Sequence, residues 1–171
     1  MNIDLKSVPE EELSRFREKM RESFEQGVLD HFGKKDSAPI PSGDEVREAF
    51  EKENMDIFWI LLEGTPCGGA IIQQGENQRY SLDIFFIFRE FLNRKIGFDA
   101  WQKIESNYPN AELWETHTPY FERRNIHFYV NKCRFQIVEF FCESHREETD
   151  LQEEFTDRNS SGFFRFEKRM K

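Results

Sequence analysis

The sequence predicts an α/β domain built on a central mixed (α+β) sheet of about six to seven strands, with helices on both faces. Three observations carry that expectation. The run Leu82–Phe88 is short, rich in Phe and Ile, and closed by charge at Arg89, which suits a buried strand better than a helix. From Ile96 onward the apolar positions Phe98, Trp101 and Ile104 fall at helical spacing. After the breaker Asn107-Tyr108-Pro109-Asn110 comes a second strand-like run, Ala111–Thr116. A strand joined through a helix to another strand normally runs parallel to it, so these two should be sheet neighbours.

From the N-terminus, Met1–Lys6 alternates Ile3 and Leu5 with polar residues, a short first strand. Ser7-Val8-Pro9-Glu10 reads as a capping box with proline near the helix start. Leu13, Phe16, Met20, Phe24 and Val28 then make one apolar stripe, on a helix that should end near Gly27 or Gly33. Lys34–Pro41 is a polar, proline-bearing loop that could overhang a cleft, and Ser42 with Glu45 forms a capping box for a short helix carrying Val46, Ala49 and Phe50. Ile57–Leu62 and Gly69–Gln73 read as a hairpin around the turn Glu63–Gly68. Phe121–Lys132 reads as helix, with Ile126, Tyr129 and Val130 on one face, and Phe135–Cys142 as strand. Glu143–Gly162 reads as an acidic exposed loop, and Phe163–Lys168 as a last strand antiparallel to its predecessor.

A chain of 171 residues suits one domain, 1–171, with a full core and no need of disulfides or metals. It has no long apolar run and no signal-like leader, so a soluble, non-exported, cytoplasmic protein without a membrane partner is expected. The three scattered cysteines, Cys67, Cys133 and Cys142, fit a reducing compartment. A net charge of -9 disfavours nucleic acid as a partner, because no excess of cations exists to release phosphate counterions. Nineteen phenylalanines point to an aromatic core.

The junction between the organising strand and its helix carries chemistry. A helix start leaves backbone N–H groups unpaired at the positive end of the dipole, and Arg89, Arg94 and Lys95 add cations beside it. A phosphate suits such a corner; so does plain solvent, since strand, polar loop and helix recur throughout α/β proteins.

Three groups of residues carry a family resemblance. Phe86-Ile87-Phe88 leads into Arg89-Glu90-Phe91-Leu92-Asn93-Arg94-Lys95-Ile96-Gly97; Leu113-Trp114-Glu115-Thr116 has a polar sequel; and Asn125-Ile126-His127-Phe128-Tyr129-Val130-Asn131-Lys132-Cys133-Arg134-Phe135 ends a helix. In this order the chain resembles the GNAT superfamily of N-acetyltransferases over nearly its whole length. The loop is similar to that family's pyrophosphate loop, with Leu92 in place of Gln or Arg, Lys95 in place of the first glycine, and Gly97 matching; Arg134 replaces the glycine before Phe135. The resemblance implies a splayed parallel strand pair with acetyl-coenzyme A in the opening. It implies that the backbone of Phe86, Ile87 and Phe88 pairs with the pantetheine arm and that Asn93, Arg94, Lys95, Ile96, Gly97 and Phe98 hold the pyrophosphate. A side chain in place of the first glycine can strain the turn or obstruct a phosphate, while Lys95 adds a point charge.

The same resemblance makes Tyr129 the acid for a departing thiolate, the alternative being a half-buried helix-face tyrosine. For a base, Glu115 ranks ahead of Asp83, and either could instead be a paired or solvated carboxylate. His117 is read as a surface residue, and Asn125 as a contact to cofactor or substrate, or else as a cap or exposed residue. Cys142 with His145 and Cys133 lacks four-ligand zinc spacing, so no metal is expected, and Cys133 reads as a buried apolar group. The acidic stretch Glu143–Asp157 is either solvated surface or a lid favouring cationic amines. The expected function is acetyl transfer from acetyl-CoA to a primary amine. The alternative is a GNAT-fold protein with impaired catalysis that senses coenzyme A or binds a protein. The aromatic C-terminal strand could form a homodimer edge.

Overall fold

A computed structural model describes residues 1–33, 43–145 and 162–171. Seven strands form one sheet: β1 (Ile3–Ser7), β2 (Met55–Leu62), β3 (Thr65–Gln74), β4 (Arg79–Ile87), β5 (Leu113–Pro119), β6 (Gln136–Phe141) and β7 (Phe163–Arg169), in the order β1-β2-β3-β4-β5-β7-β6. All neighbours are antiparallel except β4 and β5, which run parallel with α3 (Ile96–Asn107) as the crossover. The expected mixed sheet and parallel pair are present. The C-terminal strand, however, lies between β5 and β6, so β6 is the edge. β7 binds neighbours on both sides and cannot serve as the dimer edge that its aromatic sequence suggested.

Helices cover both faces. On one, α1 (Leu13–Phe32) and α2 (Gly43–Glu51) set Leu13, Phe16, Met20 and Val46 against Trp59, Ile71 and Phe86. On the other, α3 and α4 (Arg123–His127, continued by a π turn Phe128–Lys132) bury Trp101, Ile104, Tyr129 and Phe135 against Trp114 and Phe166. The phenylalanine-rich composition resolves into packed ring pairs, such as Phe16 on Trp59 with centroids 5.0 Å apart.

Several boundaries differ from expectation for local reasons. No side-chain cap starts α1; a short 3-10 turn, Glu10–Glu12, leads into it instead. The helix runs through Gly27 and ends at Gly33, whose left-handed backbone (φ 71°) bonds its N–H to the Leu29 carbonyl at 2.8 Å. The hairpin turn is only Glu63-Gly64, both at positive φ (49° and 82°), which matches the twist of the flanking strands and leaves Thr65–Gly68 in β3. The loop Lys34–Pro41, the capping residue Ser42 and most of the acidic stretch, 146–161, lie outside the described residues.

The feature that positions a site is the fork between β4 and β5. They pair only over Arg79–Leu82 and Leu113–Thr116; beyond that, β4 stays with β3 and β5 with β7. β3 pairs Ile72 with Leu82 and Ile71 with Ile84, so Asp83 is an extra residue in a β-bulge. The bulge reverses the alternation of side chains: Leu82 packs in the core beneath α3, whereas Ile84, Phe86 and Phe88 pack beneath α1. At the crotch, Thr116 Oγ1 donates to the Leu82 carbonyl at 2.8 Å.

Gly69 on β3 lets two rings close over the strand, because a Cβ there would stand 2.5 Å from Phe16 and 2.7 Å from Phe86. Gly69→Ala should therefore cost about 1–3 kcal/mol of stability by overpacking. Urea unfolding checks this; an unchanged midpoint would show that the Phe16 and Phe86 rings are free to shift.

Candidate functional site

The fork opens into a cleft of about 1120 Å³, walled on one side by α1 and on the other by the loop after β4, the start of α3 and α4. The Phe88 N–H bonds to the Cys67 carbonyl on β3 at 2.8 Å. Strand alternation then turns the N–H and C=O of the preceding residue, Ile87, toward the open side of the fork. On the far wall Phe128 stacks on Phe85, their planes 11° apart, and holds α4 away from β4.

The loop reaches α3 through Asn93 and Lys95, both left-handed, at φ 65° and 63°. Asparagine tolerates this region, whereas an ordinary side chain such as Lys95 pays roughly 1–2 kcal/mol for it. The strain expected from replacing glycine is thus localised at Lys95. The first bond of α3 runs from the Asp99 N–H to the Lys95 carbonyl at 3.1 Å, and no side chain caps the helix. The N–H groups of Ile96, Gly97 and Phe98 therefore stand ahead of the first helical bond, at the positive end of the dipole. Lys95 and Arg89 line the cleft beside them; Arg94 lies over the Phe91 ring instead, 5.8 Å from its centroid, outside the lining. A Cβ on Gly97 would meet Phe128 at 3.5 Å and Ile87 at 3.9 Å, ordinary contacts that the fold could accept.

Tyr129 and Asn125 line the same cleft from α4. Tyr129 is 5 % exposed. Burial pushes its hydroxyl well above the usual tyrosine range, opposed by a hydrogen bond with the Thr116 side chain at the crotch. Asn125 Nδ2 donates to Thr118 Oγ1 at 3.3 Å, one step further along β5. Phe86, Ile87, Phe88, Asn93, Ile96, Gly97 and Phe98 also border the cleft.

The two carboxylates singled out as bases lie elsewhere. Glu115 sits outside the cleft lining and is engaged by Arg165 at 3.4 Å, with His117 at 3.9 Å. Asp83, the bulge residue, accepts a hydrogen bond from the Ser81 hydroxyl at 2.5 Å and borders a separate hollow with Glu48 of α2 and Lys52 just after it. Desolvation raises the Asp83 carboxyl, but the residue's surface is open to water, which weakens that effect.

The cleft supplies another carboxylate, Glu122, at the start of α4. Desolvation is the main cause raising it, against His31 and Arg124, which lower it, and with Asp30, which adds to the rise. Its seat is made by Gly27 of α1, where a Cβ would come 3.2 Å from Glu122 Oε1. Of the other charged lining residues, α1 carries Glu22, Glu25 and Asp30 beside Lys19, the loop after β4 carries Glu90, and Arg124, Lys132 and Arg134 lie on and after α4. Sequence reasoning missed the α1 wall and Glu122; the available signal was Gly27, a glycine inside an otherwise good helix.

Cys67 and Cys133 are buried, their thiols pushed up to about 11 and about 12 by desolvation, and Cys142 contacts Ser144 Oγ at 3.2 Å. Among the described residues no cluster of His, Cys, Asp or Glu is arranged to hold a metal, and no helix is long and apolar enough to cross a membrane.

Tyr129 is raised by burial, and so is Tyr108, first by desolvation and then by its hydrogen bond to Asp56. A raised folded value means stability that is fully present below the unfolded tyrosine value, about 10, and lost as pH rises from there toward the folded value. Urea midpoints should fall above about pH 10, and the fall should flatten in Tyr129→Phe. A fall left unchanged by both Tyr129→Phe and Tyr108→Phe would mean that the two hydroxyls are well solvated.

No family model matches the chain. It is 40% identical over 174 residues to the uncharacterized protein YrkN of Bacillus subtilis (strain 168), covering 99% of this chain and 94% of that one. Among solved structures it is similar to an acetyltransferase from Thermus thermophilus (TM-score 0.72, 11% identity, 99% and 98% of the two chains). The ribosomal-protein-S18-alanine N-acetyltransferase of Escherichia coli superposes with TM-score 0.70 at 9% identity, over 98% and 94% of the chains. The PaiA N-acetyltransferase of Thermoplasma acidophilum, solved in complex with coenzyme A, gives 0.66 at 16% identity, over 99% and 100%. With its forked parallel pair and this likeness, the chain has the GNAT fold, and it belongs to one family with YrkN.

Proposed function

We propose that the protein is an acetyl-CoA-dependent N-acetyltransferase acting on a primary amine of a small molecule or peptide. The observation that carries this reading is the fork itself, where a strand edge, an uncapped helix start and a buried tyrosine border one cleft. The pantetheine arm would lie along the Ile87 backbone, and its pyrophosphate against the N–H groups of Ile96, Gly97 and Phe98, with Lys95 as a point cation. The solved PaiA complex with coenzyme A supports this choice of co-substrate.

In the reaction the neutral amine attacks the thioester carbonyl carbon: the C–N bond forms, the C–S bond breaks, and the sulfur leaves with the electron pair. The cleft contributes proximity and donors aimed where charge develops. Tyr129, kept neutral by burial, donates a hydrogen bond to the leaving sulfur. Glu122, the residue that precedes α4, borders the same cleft as Asn125 and Tyr129 and is the base this reading favours over Glu115 and Asp83. Desolvation strengthens it as a proton acceptor. The acidic α1 wall favours a cationic acceptor. The left-handed Lys95 favours a second reading, a coenzyme-sensing or protein-binding module, in which binding outlives catalysis.

Calorimetric titration with acetyl-CoA tests the site first. Saturable binding is expected; Lys95→Glu should weaken it about tenfold, roughly 1.4 kcal/mol. Gly97→Ala should weaken it while leaving the thermal midpoint unchanged or higher, since the fold accepts the methyl and alanine favours helix. Binding indifferent to both changes would refute the phosphate site at α3. For the chemistry, a panel of primary amines should show acetylation that falls at least about tenfold in Tyr129→Phe; a change below a few-fold removes Tyr129 from the mechanism. Coenzyme binding with no acetylation of any amine selects the second reading.

A further inference from the structure

The wall of the cleft opposite α1 carries cations that the fold itself does not use. Arg134 ends α4 in a left-handed turn (φ 68°), closed by the Phe135 N–H bonding to the Tyr129 carbonyl at 2.9 Å. Helices favour glycine at that position, because an L side chain is strained there. Among the described residues, those other than glycine with positive φ are Glu63, Asn77, Gln78, Asn93, Lys95 and Arg134. Lys95 and Arg134 are the cations of that set, and both line the cleft. Lys132, two residues before Arg134, lines it as well. None of these three makes an ion pair among the described residues. By contrast, Arg165 and Lys168 on β7 are each held by carboxylates. Strain is thus accepted twice in one cleft, each time for a long cationic side chain whose charge no group of the protein answers.

The cations fall into two places. Lys95 stands at the start of α3, beside the N–H groups of Ile96, Gly97 and Phe98. Phe128 packs against that same first turn, 3.5 Å from where a Cβ of Gly97 would lie. Lys132 and Arg134 follow Phe128 by four and six residues, a turn or more further along the wall. We propose that Lys132 and Arg134 bind the 3′-phosphate of coenzyme A, so that the protein selects the 3′-phosphorylated coenzyme over its dephospho form. This inference rests on the coenzyme reading above. The coenzyme carries a pyrophosphate and, on the ribose of the same nucleotide, a phosphomonoester with a charge of about −2 near neutral pH. The start of α3 and Lys95 answer the first. The second has no helix start left to meet it and needs side-chain charge, which a lysine supplies as a point and an arginine as a fork that grips two oxygens. With the pyrophosphate at α3, the monoester lies one ribose away, as the spacing of the two groups of cations requires.

Calorimetric titration of the full chain with coenzyme A and, separately, with 3′-dephospho-coenzyme A reads the selection directly. Coenzyme A should bind about tenfold more tightly or better, a difference of roughly 1.4 kcal/mol or more. Arg134→Gly keeps the left-handed turn and relieves its strain, so the thermal midpoint should hold or rise while affinity for coenzyme A falls about tenfold. Lys132→Ala should weaken coenzyme A in the same direction. Neither variant should change the affinity for the dephospho form, a pattern that damage to the fold or to the pyrophosphate site would not give. Equal binding of the two coenzymes by the parent protein, or variants that weaken both alike, would overturn the selection and leave the coenzyme reading standing. Binding of neither coenzyme would overturn both.

Discussion

The hydrogen bond from Thr116 to the Leu82 carbonyl is the last link between β4 and β5, and the cleft exists because the strands part just beyond it. Parting parallel strands is costly when the freed backbone groups find no partner, at about 1–3 kcal/mol for each one left unsatisfied. The fold therefore has to hold the strands apart. The bulge at Asp83 bends β4 away, the Phe85–Phe128 stack props one wall, and Phe16 on Phe86 anchors the other beneath α1. A ligand presenting its own amide groups along the freed edge would replace the lost strand partner, which is why a flexible, amide-bearing arm fits here better than a compact molecule.

Charge follows the same geometry. The chain carries -9 overall, yet Arg89, Lys95, Arg124, Lys132 and Arg134 gather along the wall formed by α3, α4 and their loops, where they outnumber Glu90 and Glu122, and the other acidic lining groups belong to α1. The excess of acid on the molecule thus does not oppose an anionic ligand at this wall, because fields inside a cleft depend on the near charges. Lys95 concentrates the compromise. Its backbone takes the strained left-handed turn that a glycine would take freely, and in exchange its ammonium stands beside the unpaired N–H groups of α3.

How far the sequence could be read follows from which signals are local. The strand ending at Ile87, the helix beginning at Ile96 and the parallel relation of β4 to β5 were legible, because periodicity, a charged boundary and the handedness of crossovers suffice for them. The placement of β7 inside the sheet was not: a hairpin's sequence does not say which of its strands joins the older sheet. Nor was the bulge, since Asp83 counts as an extra residue only against the register of β3. Arg94 and Lys95 are adjacent cations in one loop, and only the paired left-handed turns decide that the first leaves for the Phe91 ring and the second stays in the cleft.

Glu122 shows the limit most sharply. Nothing in Glu122-Arg123-Arg124 marks the first residue as different from a solvated helix cap. The trace lies nearly a hundred positions away, at Gly27, where glycine in the interior of α1 weakens the helix by about 0.5–1 kcal/mol relative to alanine. As a helix terminator that glycine makes no sense, since α1 continues to Phe32. As the floor of a carboxylate's seat it does: a Cβ there would stand 3.2 Å from Glu122 Oε1 and make it shift by a few tenths of an ångström. A residue that costs its own element stability, and whose absent side chain makes room for a desolvated acid in the same cleft as Tyr129, ties α1 to the α4 wall of the cleft more directly than any local motif does.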